Sequence, residues 1–524
     1  MLSRLLQLSV LAPAVVARGI VWESSCLSEV TSLNSTLPIV CGSLAVPRDY
    51  TNNTSNETLV LPIYKIPVAN GTTSKHSVLL NFGGPGNPGL SSFAANASAL
   101  QLLLGGDHDV ILVTPRGVGG NLDFSCSQTD AVATLHASWT TLNGNASNVA
   151  EGELWATTGL YADACKQSPG AANGDLIGTA FTARDFMQVV EALDEDGLIY
   201  YHGFSYGTVL GMTIAALFPD KIGGMVLDGN VNVYQYYRNS YVGQYLDTDK
   251  VFSLFCSTCI ATPRLCALAH NQSSAELEND LLALFYKLKS HPLPVFFPDG
   301  LGGLADYTYI TNQVNSALYE PTSWPGLSVL LAGLLAGNTT LVTEASLITT
   351  SNAGHDWLSG IRCGDNRVRV SEPSALNSNI SATEAESPIF GSDAVSFYYT
   401  CAQWSFYAKG NFSWPPGAVR IRTASPVLLV GNLYDPVTPL VNAKSNSADL
   451  EGSVVLQNDG IGHTSVLSQA SLCTARAIRA YWFNGTLPRP GTSCPVDVPA
   501  FSLDNGWETV WKELAKEVGE TYYP

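Results

Sequence analysis

Basic residues are scarce in this chain: 26 Lys and Arg stand against 44 Asp and Glu among 524 residues, a formal net charge of −18. A protein that engages nucleic acid needs a basic face to neutralise phosphates, so no nucleic-acid partner is expected. Charge of either sign is thin, at 13% of residues, where soluble domains usually carry about 25%. No segment reaches the roughly 18 uninterrupted apolar residues of a membrane-spanning helix, so no membrane partner is expected either. Metal-ligand patterns are also missing. Cys256-Ser257-Thr258-Cys259 could form half of a zinc site, but no second Cys or His pair follows at matching spacing, and no metal is expected. The glycine-rich stretch Gly83-Gly84-Pro85-Gly86-Asn87-Pro88-Gly89 lacks the Gly-Lys-Ser/Thr ending of a phosphate cradle and the spacing of a dinucleotide fingerprint, so no organic cofactor is implied. No internal repeat is present.

What is present first concerns compartment. Arg4, the apolar stretch Leu5 to Val16 and the small-residue ending Val15-Val16-Ala17 read as a signal peptide over residues 1–17, cleaved after Ala17, and predict a secreted, extracellular protein. Asn-x-Ser/Thr sequons begin at Asn34, Asn52, Asn53, Asn56, Asn70, Asn96, Asn145, Asn271, Asn338, Asn379, Asn411 and Asn484, which predicts a glycoprotein in which glycans supply part of the missing solubility. Eleven cysteines in an extracellular chain predict disulfides with one thiol left over.

The chemistry is carried by Gly203-Phe204-Ser205-Tyr206-Gly207. It follows the apolar run Leu198-Ile199-Tyr200-Tyr201 and precedes the helix-like stretch Thr208 to Phe218. Strand, sharp turn and helix in that order form a nucleophile elbow, in which flanking glycines allow a strained turn to present the serine hydroxyl above a sheet. A serine nucleophile needs a base to take its proton and an acid to fix the base's tautomer, and in an α/β-hydrolase they follow in the order Ser, Asp or Glu, His. His463 is the only histidine in the last 150 residues and sits in a polar turn after Val454-Val455-Leu456. Asp435 follows the run Pro426 to Gly431 and opens the turn Asp435-Pro436-Val437-Thr438-Pro439, where open parallel sheets place functional groups. Asp228, after Met225-Val226-Leu227, is the rival acid, and is read instead as a hydrogen-bonding residue that pins the chain near the elbow. The oxyanion donors expected are the N–H groups of Tyr206 and of a glycine in the loop after Val78 to Phe82, with Gly84 first because Pro85 has no N–H.

Together, Asn81 to Gly89, Thr114-Pro115-Arg116-Gly117-Val118-Gly119, the elbow, Tyr319-Glu320-Pro321-Thr322-Ser323-Trp324-Pro325, Ile361-Arg362-Cys363-Gly364-Asp365 and the tail from Gly462-His463-Thr464 to Cys494 resemble the secreted tripeptidyl aminopeptidases, which are related to the prolyl aminopeptidases. The resemblance implies a mostly parallel central sheet with a large inserted helical cap, Ser205, Asp435 and His463 as the triad, and the Gly83 to Gly86 loop as oxyanion wall. Thr114 stands where such chains often carry an acidic residue. With proximity, the resemblance also suggests the pairs Cys26 with Cys41, Cys126 with Cys165, Cys363 with Cys401 and Cys473 with Cys494, leaving Cys256, Cys259 and Cys266 to share one bridge and one free thiol. After the strand-like run Met225 to Leu227 the pattern turns helical and loop-rich from about 234 to 416, and strand signals resume at Val427. Core halves are therefore expected at 18–233 and 417–524 around a cap at 234–416, with a C-terminal helix expected at Thr464 to Tyr481. The substrate expected is a peptide or a small-molecule acyl compound: an exopeptidase acting at free N-termini, or an esterase, amidase or lactonase. An exopeptidase would need a cap carboxylate for the α-ammonium group, because an unpaired buried ammonium is costly; Glu320 and Asp365 are the candidates.

Overall fold

The computed structural model describes residues 19–519 and 522, apart from 25, 27–29, 31, 34, 69–72, 299, 344–353, 411 and 415–419. The expected signal peptide and the sequons at Asn34, Asn70 and Asn411 lie outside the described residues.

The chain begins with strands β1 (Val21–Trp22), β2 (Val40–Pro47), β3 (Thr58–Ile66) and β4 (Ser77–Asn81), then helix α1 (Ala97–Leu103) and β5 (Asp109–Val113). Helices α2 (Ala150–Gln167) and α3 (Thr179–Leu193) lead to β6 (Ile199–Phe204), α4 (Tyr206–Leu217) and β7 (Ile222–Asp228). Between β7 and the next sheet strand lie α5 (Thr248–Ala261), α6 (Ser274–Ser290), the hairpin β8 (Leu293–Phe296) and β9 (Gly302–Ala305), and α7 (Tyr307–Leu318), α8 (Trp324–Leu335), α9 (Gly354–Asp365) and α10 (Ala394–Gln403). The sheet resumes with β10 (Leu428–Tyr434) and β11 (Val454–Ile461), and α11 (Leu472–Asn484), β12 (Ser493–Cys494) and α12 (Trp507–Val518) follow.

Ten strands form one sheet in the order β1-β2-β3-β5-β4-β6-β7-β10-β11-β12. The pairs from β1 to β5 are antiparallel, and every pair from β5 through β12 is parallel. Parallel strands covered on both faces read as continuous apolar runs, because the pleat sends successive side chains to opposite layers that are both buried. Leu79, Ile111, Tyr201, Leu227 and Leu429 thus enter one core, with α3 and α4. Val78, Leu80, Leu112, Val226 and Val430 enter the other, with α1, α11 and α12.

The segment between β7 and β10 builds a third core from Phe252, Phe255, Leu281, Trp324, Leu331 and Tyr398. Local chemistry sets its helices. At α6 the Ser273 hydroxyl accepts from the Glu276 N–H at 3.2 Å and the Glu276 carboxylate accepts from the Ser273 N–H at 2.7 Å, a reciprocal cap. α8 starts with Pro325 in its first turn, where the missing N–H costs nothing. The same core takes in Leu154 of α2 and Phe501 near α12, so the layer over the site draws on chain outside the insertion as well.

Disulfides join Cys26–Cys41, Cys126–Cys165, Cys259–Cys266, Cys363–Cys401 and Cys473–Cys494, and Cys256 is a buried free thiol. Cys473–Cys494 ties the start of α11 to β12, just behind the His463 loop. Replacing both cysteines by serine is expected to lower the unfolding free energy by about 3 kcal/mol through loop-closure entropy, read as a lower thermal midpoint, with amide exchange in residues 462–471 accelerating before that of β6 and β7. An unchanged midpoint with unchanged exchange contradicts this.

Candidate active site

Ser205 lies between β6 and α4 with φ 55° and ψ −122°, a backbone state that costs a non-glycine residue of order 1–3 kcal/mol and persists only where the surroundings enforce it. They do so by crowding. A Cβ on Gly203 would come within 2.4 Å of the Gly207 carbonyl oxygen, and one on Gly207 within 2.5 Å of the Asn81 carbonyl oxygen. The turn is held by the Ser205 N–H donating to the Asp228 carbonyl at 3.0 Å and by the Tyr201 hydroxyl donating to the Gly207 carbonyl at 2.7 Å.

His463 and Asp435 arrive from the ends of the two neighbouring strands β11 and β10. His463 Nδ1 is 3.2 Å from each carboxylate oxygen of Asp435. The carboxylate is fully buried and also accepts from the Val437 and Thr438 N–H groups at 2.9 and 2.8 Å, the Thr438 hydroxyl at 2.6 Å and the Thr464 N–H at 3.1 Å. Burial alone would raise its pKa, but the His463 charge and the hydrogen bonds from His463 and Thr438 outweigh burial and hold it below the usual carboxylate range. An ionised acid at Nδ1 favours the tautomer that leaves Nε2 as the acceptor. The Thr438 hydroxyl, 3.1 Å from His463 Nδ1, closes this group. Sequence reasoning missed Thr438; its spacing three residues after Asp435 in a proline-flanked turn was the available signal.

Asp228 is separate from this pair and serves the histidine loop. Its carboxylate accepts from the Ser465 N–H at 2.9 Å, the Ser465 hydroxyl at 2.8 Å and the Val466 N–H at 3.3 Å. Burial pushes its pKa up to about 6 against those hydrogen bonds, and the nearby Asp435 charge adds to the rise. The loop is fixed from the other side too: the His463 N–H donates to the Tyr319 carbonyl at 2.7 Å, and the two rings meet edge to face at 5.2 Å.

Of the glycine loop, Gly83 donates its N–H to the Asn81 side chain at 3.0 Å, while Gly84 lines the same cavity as Ser205. Tyr206 is the first residue of α4, where an N–H has no partner within the helix. Gly84, Tyr206, Ser205 and His463 all line one cavity of about 550 Å³.

The structure places neither acid nominated by sequence in that cavity. Glu320 is exposed and accepts from the Thr322 hydroxyl at 2.7 Å, and its neighbour Tyr319, not Glu320, lines the cavity. Asp365 is buried behind the wall, and its oxygens are consumed by the Thr179 N–H and the Tyr236 hydroxyl, each at 2.9 Å, and by the Thr179 hydroxyl. Burial pushes its pKa up to about 6 against these bonds. Thr179 in turn meets the Tyr206 hydroxyl, so Asp365 orients the tyrosines of the wall. The acid that does line the cavity is Asp393. It stands at the N-cap position of α10 yet makes no side-chain cap; its carboxylate instead accepts from Asn143 and, at 3.1 Å, from Asn315. Burial pushes its pKa up to about 7, lowered by the Asn315 bond and raised by the Asp249 charge.

With this geometry, the relatives of the chain can be placed. It matches the alpha/beta hydrolase fold family over residues 77–252 and the TAP-like protein family over residues 387–494. The chain is an α/β-hydrolase with a TAP-like domain. This α/β-hydrolase is 26% identical over 471 residues to the serine protease Hip1 of Mycobacterium tuberculosis, spanning 87% of each chain. It is 27% identical over 490 residues to the putative hydrolase YuaR of Escherichia coli, spanning 89% of this chain and 91% of that one. It is also 24% identical over 498 residues to the tripeptidyl aminopeptidase of Streptomyces lividans, spanning 92% of this chain and 88% of the relative. The α/β-hydrolase is accordingly a serine hydrolase. Among the described residues no helix is long and apolar enough to cross a membrane, and no group of His, Cys, Asp and Glu could hold a metal ion.

Proposed function

We propose that this hydrolase is a secreted exopeptidase that releases short segments from the free N-termini of peptides through an acyl-enzyme. Ser205 attacks the scissile carbonyl while His463 takes its proton at Nε2 and Asp435 steadies the imidazole; the Gly84 and Tyr206 N–H groups receive the oxyanion. His463 then protonates the leaving amine, and water reverses the sequence to free the acyl segment.

The observation that carries the reading is Asp393: an amide-clamped carboxylate that forgoes its own helix cap and lines the cavity holding the nucleophile. An α-ammonium group entering a cavity of this size must meet a carboxylate to recover its lost hydration. The peptidase names of two relatives agree with it. Secretion rests on residues 1–17, on five disulfides and on sequons that are solvent-exposed at Asn52, Asn53, Asn56, Asn271, Asn338 and Asn484.

N-acetylation of a peptide substrate is expected to lower kcat/KM by about a hundredfold, the scale of one charge-assisted contact, and Asp393→Asn to lower it similarly on free peptides only. Because Asp393 is neutral below about pH 7 and pairs with an ammonium only when ionised, KM for free peptides should fall as pH rises through 7, a dependence absent in Asp393→Asn. Equal cleavage of acetylated and free peptides would instead favour the esterase or amidase reading.

A further inference from the structure

Among the described residues, the enclosed arginines Arg116 and Arg369 find partners for their donors. Arg116 is fully buried but pairs with Asp185 through Nε and Nη2, at 2.7 and 2.6 Å. Arg369 donates to the carbonyls of Trp404, Cys363 and Phe406. Arg362, on α9, differs: its Nε and Nη1 have no hydrogen-bond partner among the described residues, and no carboxylate lies in ion-pair range of it among them. Its guanidinium is centred 4.7 Å from the Phe397 ring and 5.5 Å from the Tyr241 ring, and it meets the Tyr241 hydroxyl. Aromatic faces steady a guanidinium without neutralising it.

Arg362 also lines the cavity that holds Ser205 and His463. Its positive charge falls on tyrosine hydroxyls around that cavity, at Tyr236, Tyr245 and Tyr319. Asp393 is not its partner, since that carboxylate is held by Asn143 and Asn315. The cavity therefore carries two separated polar anchors, one acid and one unneutralised base. Arg362 is half-buried, with Nε and Nη1 shielded from water; a cation so shielded without a counter-charge is unfavourable, and a guanidinium stacked on rings keeps a planar edge that matches a carboxylate.

We propose that Arg362 receives a carboxylate of the substrate, so that the enzyme favours peptides carrying one within the part that enters the cavity, on an acidic side chain or at a C-terminus. This rests on the exopeptidase reading for the word peptide, but the carboxylate subsite itself can be tested apart from it. The bond is charge-assisted, and its loss shows in the ratio between a carboxylate substrate and its neutral isostere.

The experiment measures kcat/KM for free-amine peptide anilides that differ only by Glu against Gln at each position of the acyl segment, and for short peptides against their C-terminal amides. The wild-type enzyme should prefer the carboxylate form by about 10- to 100-fold in one of the two series; the series that responds identifies the source. In Arg362→Gln the ratio should collapse towards one, and in Arg362→Lys, which keeps the charge but not the fork, it should be intermediate. The ratio is internal to each variant, so a change in overall rate does not disturb it. No preference in either wild-type series, or a preference that survives Arg362→Gln, overturns the proposal. Where no peptide is cleaved and the exopeptidase reading itself fails, aryl esters of a dicarboxylic acid, with the second carboxyl free or methylated, put the same question. Preference for the free acid, lost in Arg362→Gln, upholds the subsite, and equal hydrolysis overturns it.

Discussion

Replacing Ser205 by alanine lowers kcat by about a millionfold, the scale on which removal of a triad serine acts, while the thermal midpoint stays essentially unchanged. The two halves of that expectation come from different parts of the site. In the proposed mechanism the hydroxyl is the attacking group, so its removal leaves only the oxyanion donors and substrate binding to act. The elbow, by contrast, is enforced by backbone crowding at Gly203 and Gly207 and by the Ser205 N–H bond to the Asp228 carbonyl, none of which involves the hydroxyl. Steady-state kinetics on a peptide anilide with a parallel thermal melt reads both. Activity retained above a hundredth of wild type would place the nucleophile elsewhere.

Asp435→Asn is expected to lower kcat by about 10⁴-fold, because an amide at this position can present a donor to His463 Nδ1 and favour the wrong tautomer. Asp228→Asn is expected to act on stability instead. The Asp228 carboxylate accepts from three donors of the histidine loop, and an amide nitrogen facing one of them leaves a buried donor unsatisfied, at a cost of about 1–3 kcal/mol. The thermal midpoint should fall in Asp228→Asn, and kcat should fall far less than in Asp435→Asn. The reverse pattern, an inactive but stable Asp228→Asn beside an active Asp435→Asn, would exchange the two acids.

The parts of the site that sequence made legible are those fixed by local chain chemistry. A strand, a strained turn and a helix must follow one another for Ser205 to be presented, and the order Ser205, Asp435, His463 falls on the ends of β6, β10 and β11 because each strand announces itself as an apolar run. Other parts depend on tertiary orientation. A helical pattern can be read from Thr464 onward, but Thr464 adopts φ 63° in the histidine loop and α11 starts only at Leu472. β2 is not legible in the sequence because Val40-Cys41-Gly42-Ser43 has no clean alternation, although the strand pairs along its whole length with β3. The choice of cap acid turned on direction: Glu320 and Asp365 lie in prominent motifs, yet one faces solvent and the other is saturated behind the wall. Asp393, in Gly391-Ser392-Asp393 before a helix, looks like an ordinary cap, and only its partners Asn143 and Asn315, far away in the chain, reveal that it faces the cavity. Arg362 stands out in the sequence only as part of Ile361-Arg362-Cys363-Gly364-Asp365, since nothing in a sequence shows that a counter-ion is missing.

In the proposed function Ser205 takes the acyl group of a peptide whose free N-terminus lies in the cavity beside Asp393. A short peptidyl diphenyl phosphonate, prepared with a free and with an acetylated N-terminus, tests both at once, because it phosphonylates the attacking serine and must first bind as the acyl segment does. Peptide mapping by mass spectrometry should find the adduct on Ser205 alone, formed much faster from the free-amine reagent. An adduct on another residue would contradict Ser205 as the nucleophile, and equal rates from the two reagents would contradict recognition of the free N-terminus.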